Sequence, residues 1–401
     1  MQDAIVKRLI QAEVVRQKRT VNLIASENYV SSAVLAALGS VFTNKYAEGY
    51  PGGRYYGGNV VVDRVEKLCQ ARALQLFKLQ PADWAVNVQP LSGSPANLAV
   101  YLATVPPGGK IMGLKLEHGG HLTHGHPVSA SGKLWSPVVY EVDRATEQLD
   151  YAAVEAQAIR ERPTVIVAGF TAYPRVVDWA AFRRIADRSG SLLMVDLSHL
   201  AGLVAGGVYP SPFPFADVVT TTTHKTLRGP RGAMIFSRRT RRGARHGGLD
   251  LPQKIDRAVF PGWQGGPHIN QIAATAVALG EAARPAFKKY VRQVIKNTQA
   301  LGEDLRQRGW RLVTGGTDSH LILVDTWLGG GGPSGRAASE ALERRGIIVN
   351  KNSLPFDSRP PADPSGIRLG FAAETTRGAT EATARHVARK IDTILKSIRP
   401  K

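Results

Sequence analysis

The stretch Asp217-Val218-Val219-Thr220-Thr221-Thr222-Thr223-His224-Lys225 decides how the chain folds. Residues 217–222 are few and partly β-branched, the pattern of a short buried strand. The strand closes in hydroxyl side chains, and a lysine follows at its carboxyl end, where open α/β sheets place their ligands. A lysine held in a pocket there can lose its proton and attack a carbonyl carbon. Read alone, Lys225 fits an ordinary surface lysine after a strand equally well.

Outward from this stretch the same kind of strand recurs. Candidates lie at 111–116, 164–170, 191–197 and 232–236, each bounded by Gly, Pro or polar residues. Helical patterns stand between several of them, as at 151–161 and 179–189. Alternation of this kind predicts an α/β domain whose large sheet is mostly parallel and flanked by helices. A long helical pattern over 267–308 leads to a second set: strand 320–326, helix 336–345, strand 347–350 and helix 378–397. This set reads as a smaller C-terminal α+β domain. The expected organisation is a helical arm over 1–30, a large α/β domain over 31–270, and a linking helix with the small domain over 271–401. Gly329–Gly332 reads as a flexible connector. No Lys-Ser/Thr follows it, so it is no phosphate loop.

Bulk properties narrow the class. The chain has 401 residues, 43% hydrophobic and 21% charged, ordinary values for a globular enzyme of more than one domain. Its single cysteine, Cys69, excludes an intramolecular disulfide and reads as buried filler in a helical pattern with Val65, Leu68 and Arg72. Residues 1–20 lack the apolar core of a signal peptide, and Asp3 and Glu13 interrupt the positive charge of a transit peptide. No segment reaches the roughly 18 apolar residues of a membrane helix. The expectation is a cytoplasmic protein without membrane contact. The net charge is +20, partly concentrated at Arg238, Arg239, Arg241, Arg242 and Arg245. Nucleic-acid surfaces more often interleave aromatics with such residues. None does so here, so nucleic acid is expected only as a side partner.

Three further clusters carry chemistry. Asp196-Leu197-Ser198-His199 closes another strand, and a carboxylate there can pair with the protonated pyridine nitrogen of pyridoxal phosphate. It also fits a simple loop cap. Ser92-Gly93-Ser94 precedes a helical run, where free N–H groups and hydroxyls suit a phosphate, although a helix cap is the commoner meaning. Four histidines stand in the nine positions His118 to His126, with Glu117 alongside. A metal site would want Cys or more acidic ligands. Stacking on a cofactor ring, with the glycines between permitting close approach, fits better.

Taken together the chain resembles the serine hydroxymethyltransferase family. The likeness runs through Leu23 to Tyr29, Asn44 to Pro51, Arg54 to Gly58, the SGSPAN, HGGHLTHG and THKTLRGPRG stretches, Phe260 to His268, Val349 to Ser353, and Ser365 to Gly370. It implies a fold-type-I pyridoxal-phosphate transferase, a homodimer with shared active sites. It further implies that Lys225 carries the cofactor as a Schiff base, Asp196 pairs with its ring nitrogen and His121 stacks on the ring. Ser92, Gly93, Ser94 and His224 would surround the phosphate, with Tyr46, Gly265 and Gly266 reaching over from the second subunit. Arg368 would clamp the amino-acid carboxylate. Ser26, Tyr55, Tyr56 and His199 would line the substrate pocket, and Glu48 would shuttle a proton. Leu116, Gly120, Leu122 and Asn352 would meet the folate, and Arg231 would organise the loop after Lys225.

The implied reaction moves the hydroxymethyl carbon of serine to tetrahydrofolate, leaving glycine and 5,10-methylenetetrahydrofolate. Some of the positive charge would steer polyglutamylated folates. The chain departs from the family at Phe371, three residues beyond Arg368, where it predicts a reshaped pocket wall, and at the bulky Trp263. Phe371 keeps open an aldolase for threonine-like 3-hydroxy amino acids or a transferase for α-methylserine.

Overall fold

A computed structural model of the chain describes residues 3–239 and 249–398. The described chain divides into a large unit, Asn28–Arg292, and a small unit formed by Met1–Glu27 with Gln293–Lys401. The N-terminal helix Ala4–Arg19, expected as part of a separate arm over 1–30, thus groups with the C-terminal residues. The unit border lies at 292/293, whereas the sequence reading places it at 270/271.

The large unit is built on a seven-stranded sheet. Its strands are β1 (Trp84–Asn87), β2 (Lys110–Leu114), β3 (Ser136–Tyr140), β4 (Val165–Gly169), β5 (Leu192–Asp196), β6 (Val218–Thr222) and β7 (Ala233–Arg238), in the order β1-β7-β6-β5-β4-β2-β3. β7 runs antiparallel to β1 and β6, and the remaining pairs are parallel. β4 and β6 are buried along their whole length, as strands covered on both faces must be. The sequence reading finds the five interior strands and misses β1 and β3. β1 has only four residues, and β3 is an edge strand that is mostly accessible and contains Pro137, where a missing N–H costs no ladder bond.

The longer helices that lie wholly in this unit are α1 (Val60–Leu76), α2 (Gly93–Thr104), α3 (Tyr151–Glu161), α4 (Trp179–Ser189) and α5 (Ile269–Ala282). α3 and α4 begin where Asp150 and Asp178 accept backbone N–H bonds as N-caps, and α4 ends at Gly190 with φ 73°. Ala96, Ala99 and Val100 of α2 share one apolar core with Ile111, Val165, Met194, Val218 and Ile235 of the sheet. Each such branched side chain stabilises the fold by about 1.5–3 kcal/mol on burial. Cys69 is fully buried in α1. The single helix expected over 267–308 is two, α5 and Pro285–Gln307. Proline cannot continue a preceding helix but suits the first position of a new one.

The small unit holds an antiparallel sheet of β8 (Arg311–Leu312), β9 (Leu321–Asp325), β10 (Asn350–Asn352) and β11 (Gly366–Gly370), in the order β8-β9-β11-β10. With α6 (Gly335–Arg344) and α7 (Glu381–Ser397) this makes the expected α+β arrangement. The strand expected over 347–350 divides. Ile347–Ile348 pairs in parallel with Val21–Asn22, and Asn350 opens β10. The glycine run after Trp327 starts in a tight 3₁₀ turn, Leu328–Gly330. Phe371 is a core residue: it is fully buried, in one apolar cluster with Leu23, Leu369, Ala384 and Val387, which corrects its expected place on a pocket wall. Of the basic run, Arg238 lies over the Trp84 ring at 4.7 Å and Arg239 donates to the Pro81 carbonyl. Arg241, Arg242 and Arg245 lie outside the described residues. Among the described residues no helix is long and apolar enough to cross a membrane.

Candidate active site

Parallel pairing of β5 with β6 brings Asp196 opposite Thr220, at the carboxyl ends of adjacent strands. The Asp196 carboxylate accepts from Asn97 Nδ2 at 2.9 Å and from the Ser198 amide at 3.1 Å, and lies 3.1 Å from His124 Nε2. Burial would push this carboxyl up. The His124 hydrogen bond and charge, with Lys225 and His121 nearby, outweigh burial and hold it well below the usual carboxylate range. Asp196 is therefore an ionised carboxylate fixed at one place, the property required of a partner for a protonated ring nitrogen.

Asn97 is the hub that sequence reasoning missed. Its Nδ2 also reaches Thr123 Oγ1 at 2.9 Å, and its Oδ1 accepts from Thr220 Oγ1 at 2.7 Å. Thr123 in turn lies 2.7 Å from His121 Nδ1 and donates its amide to that nitrogen at 3.2 Å, which fixes the half-buried His121 ring. A legible signal existed: Asn97 is a polar residue inside the otherwise apolar helical run 96–103. The four histidines part company. His118 is buried and accepts from the Val142 amide, His124 serves Asp196, and His126 is only half-buried. Among the described residues no group of three or more His, Cys, Asp or Glu is placed to hold a metal ion.

Lys225 is buried. Its carbonyl accepts from Asn28 Nδ2 at 2.9 Å and from the Arg228 amide at 3.0 Å. Arg228 has a φ of 65° and its guanidinium lies 4.6 Å over the Tyr290 ring. The loops after β5 and β6 are stitched together. Ser198 Oγ accepts from the Thr222 amide, and Thr226 Oγ1 donates to the carbonyl of the buried His199. His224 has a buried Nδ1 with no partner among the described residues. Burial, then the charges of Lys225 and Arg231, push this imidazole down to about 3, so it is neutral.

Helix α2 starts beside these loops. Its N-cap, Ser92, is extended and makes no side-chain cap bond. Gly93 is needed for space: a Cβ there would lie 2.7 Å from Thr222 Cγ2. Small residues, an uncapped helix N-terminus and a neutral imidazole suit a phosphate group. Leu116 is half-exposed and Leu122 exposed, whereas Gly120 is packed so that a Cβ would strike the Leu114 carbonyl.

A second group gathers around the hairpin Gly49–Tyr50 and Gly53–Arg54. Tyr46 OH lies 3.3 Å from Glu48 Oε1, and a Cβ at Gly265 or Gly266 would fall within 3.6 Å of Glu48 Oε1 or 3.4 Å of the Tyr46 ring. Tyr56 meets Tyr46 and Tyr55 edge-on at 5.3 and 5.2 Å. Tyr46, Tyr55 and Tyr56 are exposed by 56%, 81% and 44%, so this group stands open to solvent. Beneath it the backbone is pinned. Arg54 donates to the carbonyls of Ala47 and Gly49, which flank Glu48, and to Asp63 and the buried Glu66. Gln89 adds bonds to Gly49 O and Glu66 Oε1.

Ser26, Asn352 and Arg368 belong to the small unit. Arg368 on β11 is buried, which pulls its guanidinium down to about 10, and its Nε donates to Asn350 Oδ1 at 3.2 Å. Ser26 sits half-buried in a turn, and Asn352 Nδ2 donates to the Ser353 carbonyl.

The family model described as serine hydroxymethyltransferase matches residues 1–391. The chain is 54% identical over 381 residues to the serine hydroxymethyltransferase of Desulfotalea psychrophila, covering 95% of this chain and 86% of that protein. It is 51% identical over 389 residues to that of Acidobacterium capsulatum, covering 97% and 87%. To that of Acidothermus cellulolyticus it is 51% identical over 396 residues, covering 99% and 89%.

Proposed function

Because the chain belongs to the serine hydroxymethyltransferase family, we propose that it moves the hydroxymethyl carbon of serine to tetrahydrofolate, reversibly, leaving glycine and 5,10-methylenetetrahydrofolate. The single observation that carries this reading is the pinned, ionised Asp196 beside the buried Lys225 at adjacent strand ends.

The residues fit pyridoxal phosphate. Lys225 would hold it through Nζ, Asp196 would pair with its ring nitrogen and His121 would contact its ring. Ser92, Gly93, Ser94 and His224 receive the phosphate. When bound, the cofactor supplies a conjugated electron sink for bond breaking at the amino-acid Cα. Arg368 orients the substrate by its carboxylate. Tyr55, Tyr56 and His199 are assigned to the amino-acid substrate, as is Ser26, and Glu48 carries a proton at its carboxylate during transfer to the folate. Leu116, Gly120, Leu122 and Asn352 meet the folate, and Arg231 keeps the loop after Lys225 in order.

The open group of Tyr46, Gly265 and Gly266 supports a homodimer in which each copy completes the phosphate site of the other. Large exposed side chains beside a rigid backbone suit a surface that a second copy covers. The working location is the cytoplasm. Nucleic acid is at most a side partner of the basic surface, and part of that charge steers anionic polyglutamylated folate. No observation now favours the rival amino acids, since Phe371 belongs to the core.

The test is borohydride reduction of the holoenzyme followed by peptide mass spectrometry, alongside serine turnover with and without tetrahydrofolate. A pyridoxyl adduct on Lys225 and folate-dependent turnover are expected. An adduct on another lysine would overturn the cofactor assignment. Turnover indifferent to folate would move the reading to an aldolase.

A further inference from the structure

The carboxylate clamp has a neighbour that the family motif leaves without a role. β10 and β11 are antiparallel, and their register sets Asn350 directly opposite Arg368. Asn350 Oδ1 accepts from Arg368 Nε at 3.2 Å. Its Nδ2 points the other way, to the Lys351 carbonyl at 3.1 Å and to Asn352 Oδ1 at 3.4 Å. The amide is thereby held with its oxygen toward the guanidinium. Its two ends join the residue assigned to the amino-acid carboxylate with the residue assigned to the folate.

A guanidinium offers five N–H donors in a flat fork, and two parallel donors must face a carboxylate for bidentate binding. An acceptor on Nε fixes the plane of that fork. The acceptor's charge matters as much as its position. A neutral amide orients the cation without adding a negative charge beside it. An aspartate of nearly the same shape would form a half-buried ion pair with Arg368 and compete with the incoming carboxylate.

We propose that Asn350 is a positioning residue for substrate specificity: its neutral oxygen sets the plane of Arg368 for the amino-acid carboxylate, and its neutrality keeps the cation available to that anion. The inference rests on the reading that Arg368 binds the carboxylate. It assigns Asn350 an effect on binding of amino acid and none on the chemical step itself.

The experiment is calorimetric titration of the holoenzyme with glycine, with KM and kcat for serine, on wild type, Asn350→Asp, Asn350→Ser and Arg368→Ala. Asn350→Asp is expected to weaken glycine and raise the serine KM by at least about tenfold, with kcat within about threefold. Asn350→Ser keeps a neutral oxygen and is expected to stay closer to wild type than Asn350→Asp. Wild-type glycine binding by Asn350→Asp, with binding abolished in Arg368→Ala, overturns the role of Asn350 and leaves the clamp standing. Retained glycine binding in Arg368→Ala overturns the clamp and this inference with it. Thermal melts report folding. If Asn350→Asp does not fold, Asn350→Leu decides: glycine weakened at least about fivefold supports the role, and wild-type binding overturns it.

Discussion

The Asp196 cluster and the Glu48 hairpin, both in the large unit, differ in what completes them. Around Asp196, the donors Asn97, Ser198 and His124 all come from that same unit, and they hold the carboxylate on three sides. Around Glu48 only the base is finished. Arg54, Glu66 and Gln89 lock the backbone from below, while Tyr46, Tyr55 and Tyr56 stand in solvent. The difference teaches that rigidity and completeness are separate properties. A site can hold its backbone as tightly as a core and still present an unfinished surface.

The contrast makes three sets of outcomes, from largest to smallest. Asp196→Ala is expected to lower serine turnover by about 10²–10³-fold, the scale of losing a preorganised charge. The same variant leaves buried donors unsatisfied at His124 and Asn97, at a cost of about 1–3 kcal/mol in stability. Turnover assays and chemical denaturation would read both effects. A stable, active variant would break the idea of a finished cluster. Glu48→Gln is expected to separate the two properties. Folate-dependent transfer should fall by on the order of 10²-fold. Cleavage of a 3-hydroxy amino acid without folate, and the melting temperature, should hold near wild type. Equal loss in all three would make Glu48 part of the scaffold.

The smallest effect concerns Asp256, which lies at the base of the hairpin. Asn87 Nδ2 donates to its carboxylate at 2.7 Å, and Tyr50 OH donates to its carbonyl at 2.6 Å. Burial, reinforced by Glu66 and Asp250, raises its carboxyl to about 6 against the Asn87 bond. A raised carboxyl favours the protonated folded form. Its contribution is full below the ordinary value near 4 and is lost as pH rises through about 6. Asp256→Asn keeps the acceptor for Asn87 and removes the titration. The variant should match wild type near pH 3 and gain about 2–3 kcal/mol over it by pH 8. Melts across that range would show it, and a constant offset would contradict the assignment.

The cluster was far more legible than the hairpin. Strands β5 and β6 announce themselves as apolar runs, and a reactive residue stands at or just beyond each end. Chain order alone therefore puts Asp196 and Lys225 near each other. His124 was seen among four histidines, but spacing could not say which of them would meet Asp196. That depends on the 3₁₀ turns that flank Gly119 and Gly125. Glu66 carried a signal that went unread: it occupies the buried stripe Val62, Glu66, Cys69, Ala73 at helical spacing, where a carboxylate needs a partner. Arg54 is that partner, at 2.6 Å, and no sequence pattern links the two. Asn350 was hidden for a related reason, since the register of β10 against β11 sets its partner. Phe371 stands just past the last residue of β11 and caps the short helix Ala372–Thr376, so its closeness to Arg368 in sequence does not reveal that its ring turns into the apolar core with Leu23 and Leu369.

The single thiol, Cys69, is fully buried in α1, and burial raises its pKa far above the usual thiol range. At neutral pH it is neither accessible nor a thiolate, so maleimide reagents should pass it by. The natural chain is thus ready for single-site dye or spin labelling with no background to remove. One cysteine placed at Tyr55, the most exposed ring of the hairpin, would report by its own spectrum whether and when that surface becomes covered.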